Sequence, residues 1–296
     1  MFLLVGGDSE IGAATLRHLK MHSGPALATT RRPECVGADM TLLDLALPLD
    51  QWEPPTGVDA VCIFAAVSRL AACASDPQGS ARINVAQTLA LAERLLASGI
   101  YVLFLSTNQV FDGSVPHVAA EAPTCPVSEY GRQKARTEAE LGKHIGRGAP
   151  AGILRLAKVV SPNMPLIHGW IEALQAGKPI RAFHDMTMAP APTALVSQAI
   201  AHLLEDKGRG IFQLTGPRDV LYVEIASYVA ERAGAPQRLV ESVSALDAGQ
   251  PEGATPPNTT LDSTILCERY DIAVPDIWTV IDGVIAPGAE PKPKGA

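Results

Sequence analysis

Phe2-Leu3-Leu4-Val5-Gly6-Gly7-Asp8-Ser9-Glu10-Ile11-Gly12 decides the fold. The apolar run reads as a buried first strand, the glycines as a tight turn, and Ile11–Met21 as the helix that follows. Glycine at a strand-to-helix turn lets the backbone approach a pyrophosphate, whose charge then faces the N–H groups and dipole of the helix N-terminus. Gly12 would allow close helix–strand packing. Gly6, Gly7, Asp8, Ser9, Glu10, Ile11 and Gly12 are therefore the expected dinucleotide phosphate loop. Many strand–helix turns contain glycine for conformational reasons alone. The rest of the first half adds the weight.

Strand-like runs at Phe2–Val5, Ala26–Thr29, Ala60–Phe64, Tyr101–Ser106 and Gly152–Leu156 alternate with helical patterns at Ile11–Met21, Ala81–Ala97 and Ser128–His144. Such alternation specifies parallel βαβ units, hence an α/β chain with a Rossmann-type doubly wound parallel sheet over residues 1–160. Beyond it prolines interrupt the pattern, and Ile167–Gln175, Thr193–Leu204 and Tyr222–Ala233 read as helices. Residues 161–286 are the expected smaller C-terminal substrate-binding lobe, whose strands can return to the first domain. The Pro- and Lys-rich end, 287–296, has no apolar face to bury and is expected to be disordered.

The formal net charge of -7 offers no general attraction to nucleic acid or to an anionic membrane. No apolar run approaches the ~18 residues of a spanning helix, and the N-terminal run lacks the basic flank of a signal peptide. Cys35, Cys62, Cys73, Cys125 and Cys267 include no CxxC pair, and the histidines are scattered. These features fit reduced thiols in a cytoplasmic protein and argue against a disulfide framework or a metal site.

After the second strand comes Thr29-Thr30-Arg31-Arg32, with no acidic residue for ribose hydroxyls. Arginine there suits a 2′-phosphate, so NADP(H) is the preferred cofactor and NAD(H) the alternative. The competing reading of Arg31 and Arg32 is a solvated basic loop before Pro33. Asp44 and Leu45, after a third strand, and Phe64-Ala65-Ala66, ending the fourth, are placed to line the cofactor cleft.

Tyr130 and Lys134 stand four residues apart on one helix face. A phenol of reference pKa ~10 exchanges protons slowly at neutral pH, and a neighbouring ammonium brings it toward the working range. Ser106 and Thr107 end the fifth strand, where open α/β sheets bind ligands. Their competing role is capping of loop backbone, and that of Tyr130 is a half-buried helix tyrosine.

The order Gly6-Gly7…Gly12, Phe64-Ala65-Ala66, Arg82-Ile83-Asn84-Val85, Ser106-Thr107-Asn108-Gln109-Val110-Phe111-Asp112-Gly113 and Tyr130…Lys134 resembles the extended short-chain dehydrogenase/reductase superfamily. Within it the chain is most similar to the dTDP-dehydrorhamnose reductase group, over residues 1–215 and less beyond. The resemblance implies a catalytic hydroxyl at Thr107, helped by Ser106, a proton donor at Tyr130, and a ribose-holding, phenol-tuning ammonium at Lys134. It also implies an active-site asparagine at Asn84. Two departures stand out. Ser9 replaces the family's middle glycine, and its β-carbon would crowd the pyrophosphate. Asn108-Gln109 occupy the Asp-Glu positions of related dehydratases, and amides do not shuttle protons.

The implied activity is NADPH-dependent reduction of a keto group on a nucleotide-linked deoxysugar, a step of polysaccharide biosynthesis. The alternatives are a nucleotide-sugar epimerase with tightly bound NAD and a non-catalytic NADP-binding subunit resembling the regulatory partner of methionine adenosyltransferase. A homodimer is left open. Lys158, Arg181 and Arg218 are weak candidates for a diphosphate clamp, and His168 and His184 read as structural or exposed.

Overall fold

The computed structural model describes residues 1–251 and 253–286; the tail expected to be disordered lies outside the described residues. The first half runs β1 (Phe2–Val5), α1 (Glu10–His22), β2 (Ala26–Thr30), β3 (Met40–Leu42), β4 (Ala60–Ile63), α2 (Leu70–Ser75), α3 (Pro77–Ala81), α4 (Thr88–Ala97), β5 (Tyr101–Thr107), α5 (Glu129–Gly146) and β6 (Ala151–Leu156). The second half opens with β7 (Val159–Val160), α6 (Pro165–Gln175), β8 (Ile180–Phe183), β9 (Thr187–Met188), β10 (Ala191–Pro192), α7 (Thr193–Glu205) and β11 (Gly210–Leu214). It closes with β12 (Val220–Leu221), α8 (Tyr222–Arg232), β13 (Val240–Val243), α9 (Thr264–Tyr270) and α10 (Ile277–Ile285).

A seven-stranded parallel sheet ordered β3-β2-β1-β4-β5-β6-β11 forms the Rossmann body. All seven residues of β5 are buried, as expected of a central strand covered on both faces. One face packs α1 and α7 through Leu16, Leu19, Val196 and Ile200; the other packs α4 and α5 through Leu91, Leu95 and Leu141. The strand order reverses between β1 and β4, and the crevice at that switch point is where such sheets bind ligands.

The lobe after residue 160 is not contiguous. Helix α7 packs on α1, and β11 pairs with β6 in register Gly210↔Gly152, so 193–214 lie in the Rossmann body. What remains is built from three short strand pairs and helices α6, α8 and α10 around a separate core containing Trp170, Ile225, Val229 and Ile281. Asp219 fastens the return of the chain, accepting from the hydroxyls of Thr259 and Thr260 at 2.7 and 2.8 Å. The stretch Ala81–Ala97, expected as one regular helix, instead contains a π-helical turn over Arg82–Gln87. Such wide turns recur at functional sites. Among the described residues, no helix is long and apolar enough to cross a membrane.

Candidate active site

The glycine loop is shaped by contact. Gly6 has φ +80°, and a β-carbon there would lie 2.8 Å from the Ala65 amide nitrogen, so this residue lets the loops after β1 and β4 touch. Gly7 and Gly12 serve packing: a β-carbon on the first would meet the Ala28 methyl at 2.5 Å, and one on the second would meet the Gly7 Cα at 2.6 Å. Ser9 takes an ordinary extended conformation (φ -72°) and caps α1, its hydroxyl accepting from the Gly12 amide at 3.2 Å. The side chain that replaces a glycine is thereby turned to the helix end.

A cleft of about 850 Å³ opens above this loop. Of the residues expected from sequence, Gly6, Asp8, Ser9, Glu10 and Ile11 border it, as do Arg31, Asp44, Leu45, Phe64, Ala65 and Ala66. Ser106, Thr107, Tyr130 and Lys134 border the same space. Gly7, Gly12, Arg32 and Asn84, expected as cofactor contacts, do not line it. The two glycines lie against neighbouring backbone and methyl groups. Arg32 turns back to Asp8 at 3.1 Å, where Thr30 also donates at 2.8 Å. Lys158, Arg181 and Arg218 also lie off the cleft; the last stands over the Trp278 ring. Val67, Ser68 and Arg69 line it without having been anticipated, since no motif marks the loop after β4 beyond its small residues.

The catalytic candidates are held by backbone geometry. Ser128 caps α5, accepting from the Gly131 amide at 3.0 Å and donating to the Gln109 side chain at 3.1 Å. A β-carbon on Gly131 would stand 2.0 Å from the Gln109 carbonyl oxygen, so glycine is what lets the Tyr130 turn close on the turn after Thr107. The Thr107 hydroxyl accepts from the Gln109 amide at 3.2 Å, the expected capping role, while still bordering the cleft. Ser106 differs. Its hydroxyl is buried without a hydrogen-bond partner among the described residues, a cost of about 1–3 kcal/mol.

Lys134 is 3% exposed, donates to the Leu105 carbonyl at 2.7 Å, and stands 4.3 Å from the Phe104 ring centre. Burial lowers its pKa to about 8, with Glu138 as the main opposing influence. Burial pushes the Tyr130 phenol well up, with Cys73 a smaller contributor, so the group is a protonated donor at neutral pH. Lys134 binds its proton less tightly in the folded chain than in the unfolded one. The resulting penalty is full below about pH 8 and is relieved as the pH rises toward the ordinary lysine value of 10.5. Lys134→Met is therefore expected to leave the melting temperature of the ligand-free protein at pH 7 unchanged or higher, while turnover falls at least ~100-fold. Calorimetry beside a rate assay checks this; a clear drop in melting temperature would contradict it.

Two networks stand behind the pair. The Asn84 side chain accepts from the Val67 amide at 2.8 Å and donates to its carbonyl at 2.9 Å and to Gln133 at 2.8 Å. Asn84 thus positions the cofactor-side loop without touching the cleft. Gln133, which sequence reading passed over, donates to Ser80 at 2.8 Å and joins α5 to α3. One turn beyond Lys134, Glu138 accepts from Arg155 of β6 at 2.7 Å, with the two side chains 4% and 2% exposed. Arg155 also donates to the Ala120 carbonyl at 2.9 Å and to Gln213 of β11 at 3.2 Å.

The family described as RmlD substrate binding domain matches residues 1–286, well past the 1–215 over which the sequence motifs were legible. A probable low-salt glycan biosynthesis reductase of Haloferax volcanii is 28% identical over 223 residues, covering 72% of this chain and 71% of that one. A dTDP-4-dehydrorhamnose reductase of Sinorhizobium fredii is 27% identical over 239 residues, covering 74% and 76%. Among solved structures, a hypothetical dTDP-4-dehydrorhamnose reductase from Sulfolobus tokodaii superposes with a TM-score of 0.79 at 21% identity, covering 95% of this chain and 98% of that one. That likeness supports the fold.

Proposed function

The chain belongs to the RmlD substrate binding domain family of the extended short-chain dehydrogenase/reductase superfamily, a group of NAD(P)-dependent oxidoreductases, and from this we propose that it uses NADPH to reduce a keto group on a nucleotide-linked deoxysugar. The observation that carries the reading is the convergence of Ser106, Thr107, Tyr130 and Lys134 on the cleft that also takes in the glycine loop. Relatives named as reductases of dTDP-4-dehydrorhamnose and of glycan biosynthesis support the substrate class.

The residues present fit a dinucleotide. Gly6 lets the loops after β1 and β4 close together, Glu10 and Ile11 at the N-terminus of α1 border the space its phosphates would take, and Ser106 and Thr107 border the same cleft. Bound there, nicotinamide supplies the hydride for the carbonyl carbon. Thr107 and Ser106 hold the carbonyl oxygen, and Tyr130 gives that oxygen its proton. Lys134 holds the ribose and stabilises the phenolate left behind. Asn108 and Gln109, as amides, do not shuttle protons, which removes the acid and base that a related dehydratase would need. Turnover of NADPH against dTDP-, UDP- and GDP-linked 4-keto-6-deoxyhexoses tests this; no NADPH oxidation with any of them would sink it.

The preference for NADPH rests on Arg31, which borders the cleft and has no ion-pair partner among the described residues. Arg31→Ala is expected to raise KM for NADPH by about 10- to 100-fold, the value of charge-assisted hydrogen bonds to a phosphate. KM for NADH should stay within about twofold, because that ligand lacks the 2′-phosphate. Equal losses for both would place Arg31 elsewhere on the cofactor.

A further inference from the structure

Arg69 is a cleft cation that no motif explains. It sits between β4 and α2, is exposed, borders the same space as the glycine loop, and its guanidinium has no hydrogen bond or ion pair among the described residues. Its surroundings give it work. Most donors of the glycine loop are already engaged within the fold: the amides of Gly6 and Gly7 donate to Thr29 at 3.1 Å each, Ser9 to the Gly6 carbonyl at 3.2 Å, and Gly12 to the Ser9 hydroxyl at 3.2 Å. Two carboxylates of the loop, Asp8 and Glu10, border the cleft as well. Arg32 and Thr30 answer Asp8, whereas Glu10 accepts from the Ser161 hydroxyl and has no cation paired with it among the described residues. A diphosphate entering beside Glu10 therefore meets repulsion that the loop itself does not offset.

Of the remaining cations, Lys134 is buried against the Leu105 carbonyl, and Arg31 follows β2, where the 2′-phosphate reading already engages it. Arg69 is left. Its loop is also fixed in place. Ala65 touches Gly6 at one end, and Asn84 grips both the amide and the carbonyl of Val67, two residues before Arg69. An arginine fork on a pinned loop suits two phosphate oxygens.

We propose that Arg69 holds the diphosphate of a nucleotide ligand in this cleft. The proposal rests on the functional reading above for its ligands, because the cofactor and a nucleotide sugar both carry a diphosphate ester. The test is calorimetric titration of the full chain and of Arg69→Met with four ligands: NADPH, adenosine 2′,5′-bisphosphate, dTDP and dTMP. The first and third contain a diphosphate; the second and fourth are their counterparts without one. The variant is expected to bind one diphosphate ligand about 10- to 100-fold more weakly and its counterpart within about twofold of wild type. Wild-type affinity for that ligand should also fall more steeply with added KCl than the variant's.

A loss confined to NADPH assigns Arg69 to the cofactor, and one confined to dTDP assigns it to the substrate. Arg69→Lys, which keeps the charge but not the fork, should lie between the two proteins. Unchanged affinity for both diphosphates in Arg69→Met would overturn the proposal. Wild-type protein that binds NADPH but not dTDP counts against the sugar-nucleotide reading, and the NADPH arm still decides Arg69. Wild-type protein that binds neither overturns both.

Discussion

Tyr130→Phe is expected to lower turnover by about a hundred- to ten-thousandfold, the range associated with a positioned general acid. The dissociation constant for NADPH should stay within about twofold. The ring remains in place, and in the proposed reading the phosphates are held by other residues bordering the cleft. The two readouts separate chemistry from binding. A variant that loses affinity in proportion to turnover would make Tyr130 a binding residue, and one that keeps the wild-type rate would remove it from the mechanism.

The second large effect is on stability and arises from the buried pair behind Lys134. Glu138→Ala would leave the Arg155 guanidinium charged and 2% exposed, stripped of the carboxylate that takes three of its hydrogen bonds. Breaking such a pair on one side costs about 3–5 kcal/mol. In a protein of this size that corresponds to a melting-temperature loss on the order of 10 °C. The double variant Glu138→Leu with Arg155→Met is expected to recover much of the loss, because neither charge of the pair then remains buried. Thermal denaturation of the two variants checks both statements. A single variant within about 1 kcal/mol of wild type would show that water or a local shift reaches Arg155.

These two sites differ in how far the sequence reveals them. Tyr130 and Lys134 share one helix, so their relation is set by helical spacing and can be read from the chain. The same holds for β1, β2, β4, β5 and β6, whose apolar runs are local patterns, whereas the three-residue, partly exposed β3 carries no such run. Arg155 meets Glu138 across two elements, and nothing near either residue announces the partner. The one usable signal was an arginine inside the strand run Ile153-Leu154-Arg155-Leu156, since a charge in a central strand requires a buried counter-charge.

Asn84 shows the opposite failure. Its motif is legible, but within the π turn over Arg82–Gln87 its side chain bonds to Val67 and does not line the cleft. Arg31 and Arg32 are equivalent as letters; only the fold shows that Asp8 takes the second and leaves the first to the cleft. The return of β11 to the large sheet depends on pairing with β6, a contact between residues 58 positions apart in the Gln213–Arg155 register. Ser9 reads as an obstacle to a phosphate because the sequence does not show where a hydroxyl points. In the fold it points at the Gly12 amide.

The most direct measurement is the fate of an isotope. NADPH carrying deuterium at the transferable position of its nicotinamide is incubated with the protein and a dTDP-linked 4-keto-6-deoxyhexose, and the sugar is examined by NMR. A Tyr130–Lys134 reductase must place deuterium on the former carbonyl carbon and release one NADP⁺ per sugar reduced. An unlabelled sugar, whether returned unchanged or as an epimer with the label still on the cofactor, would contradict the account.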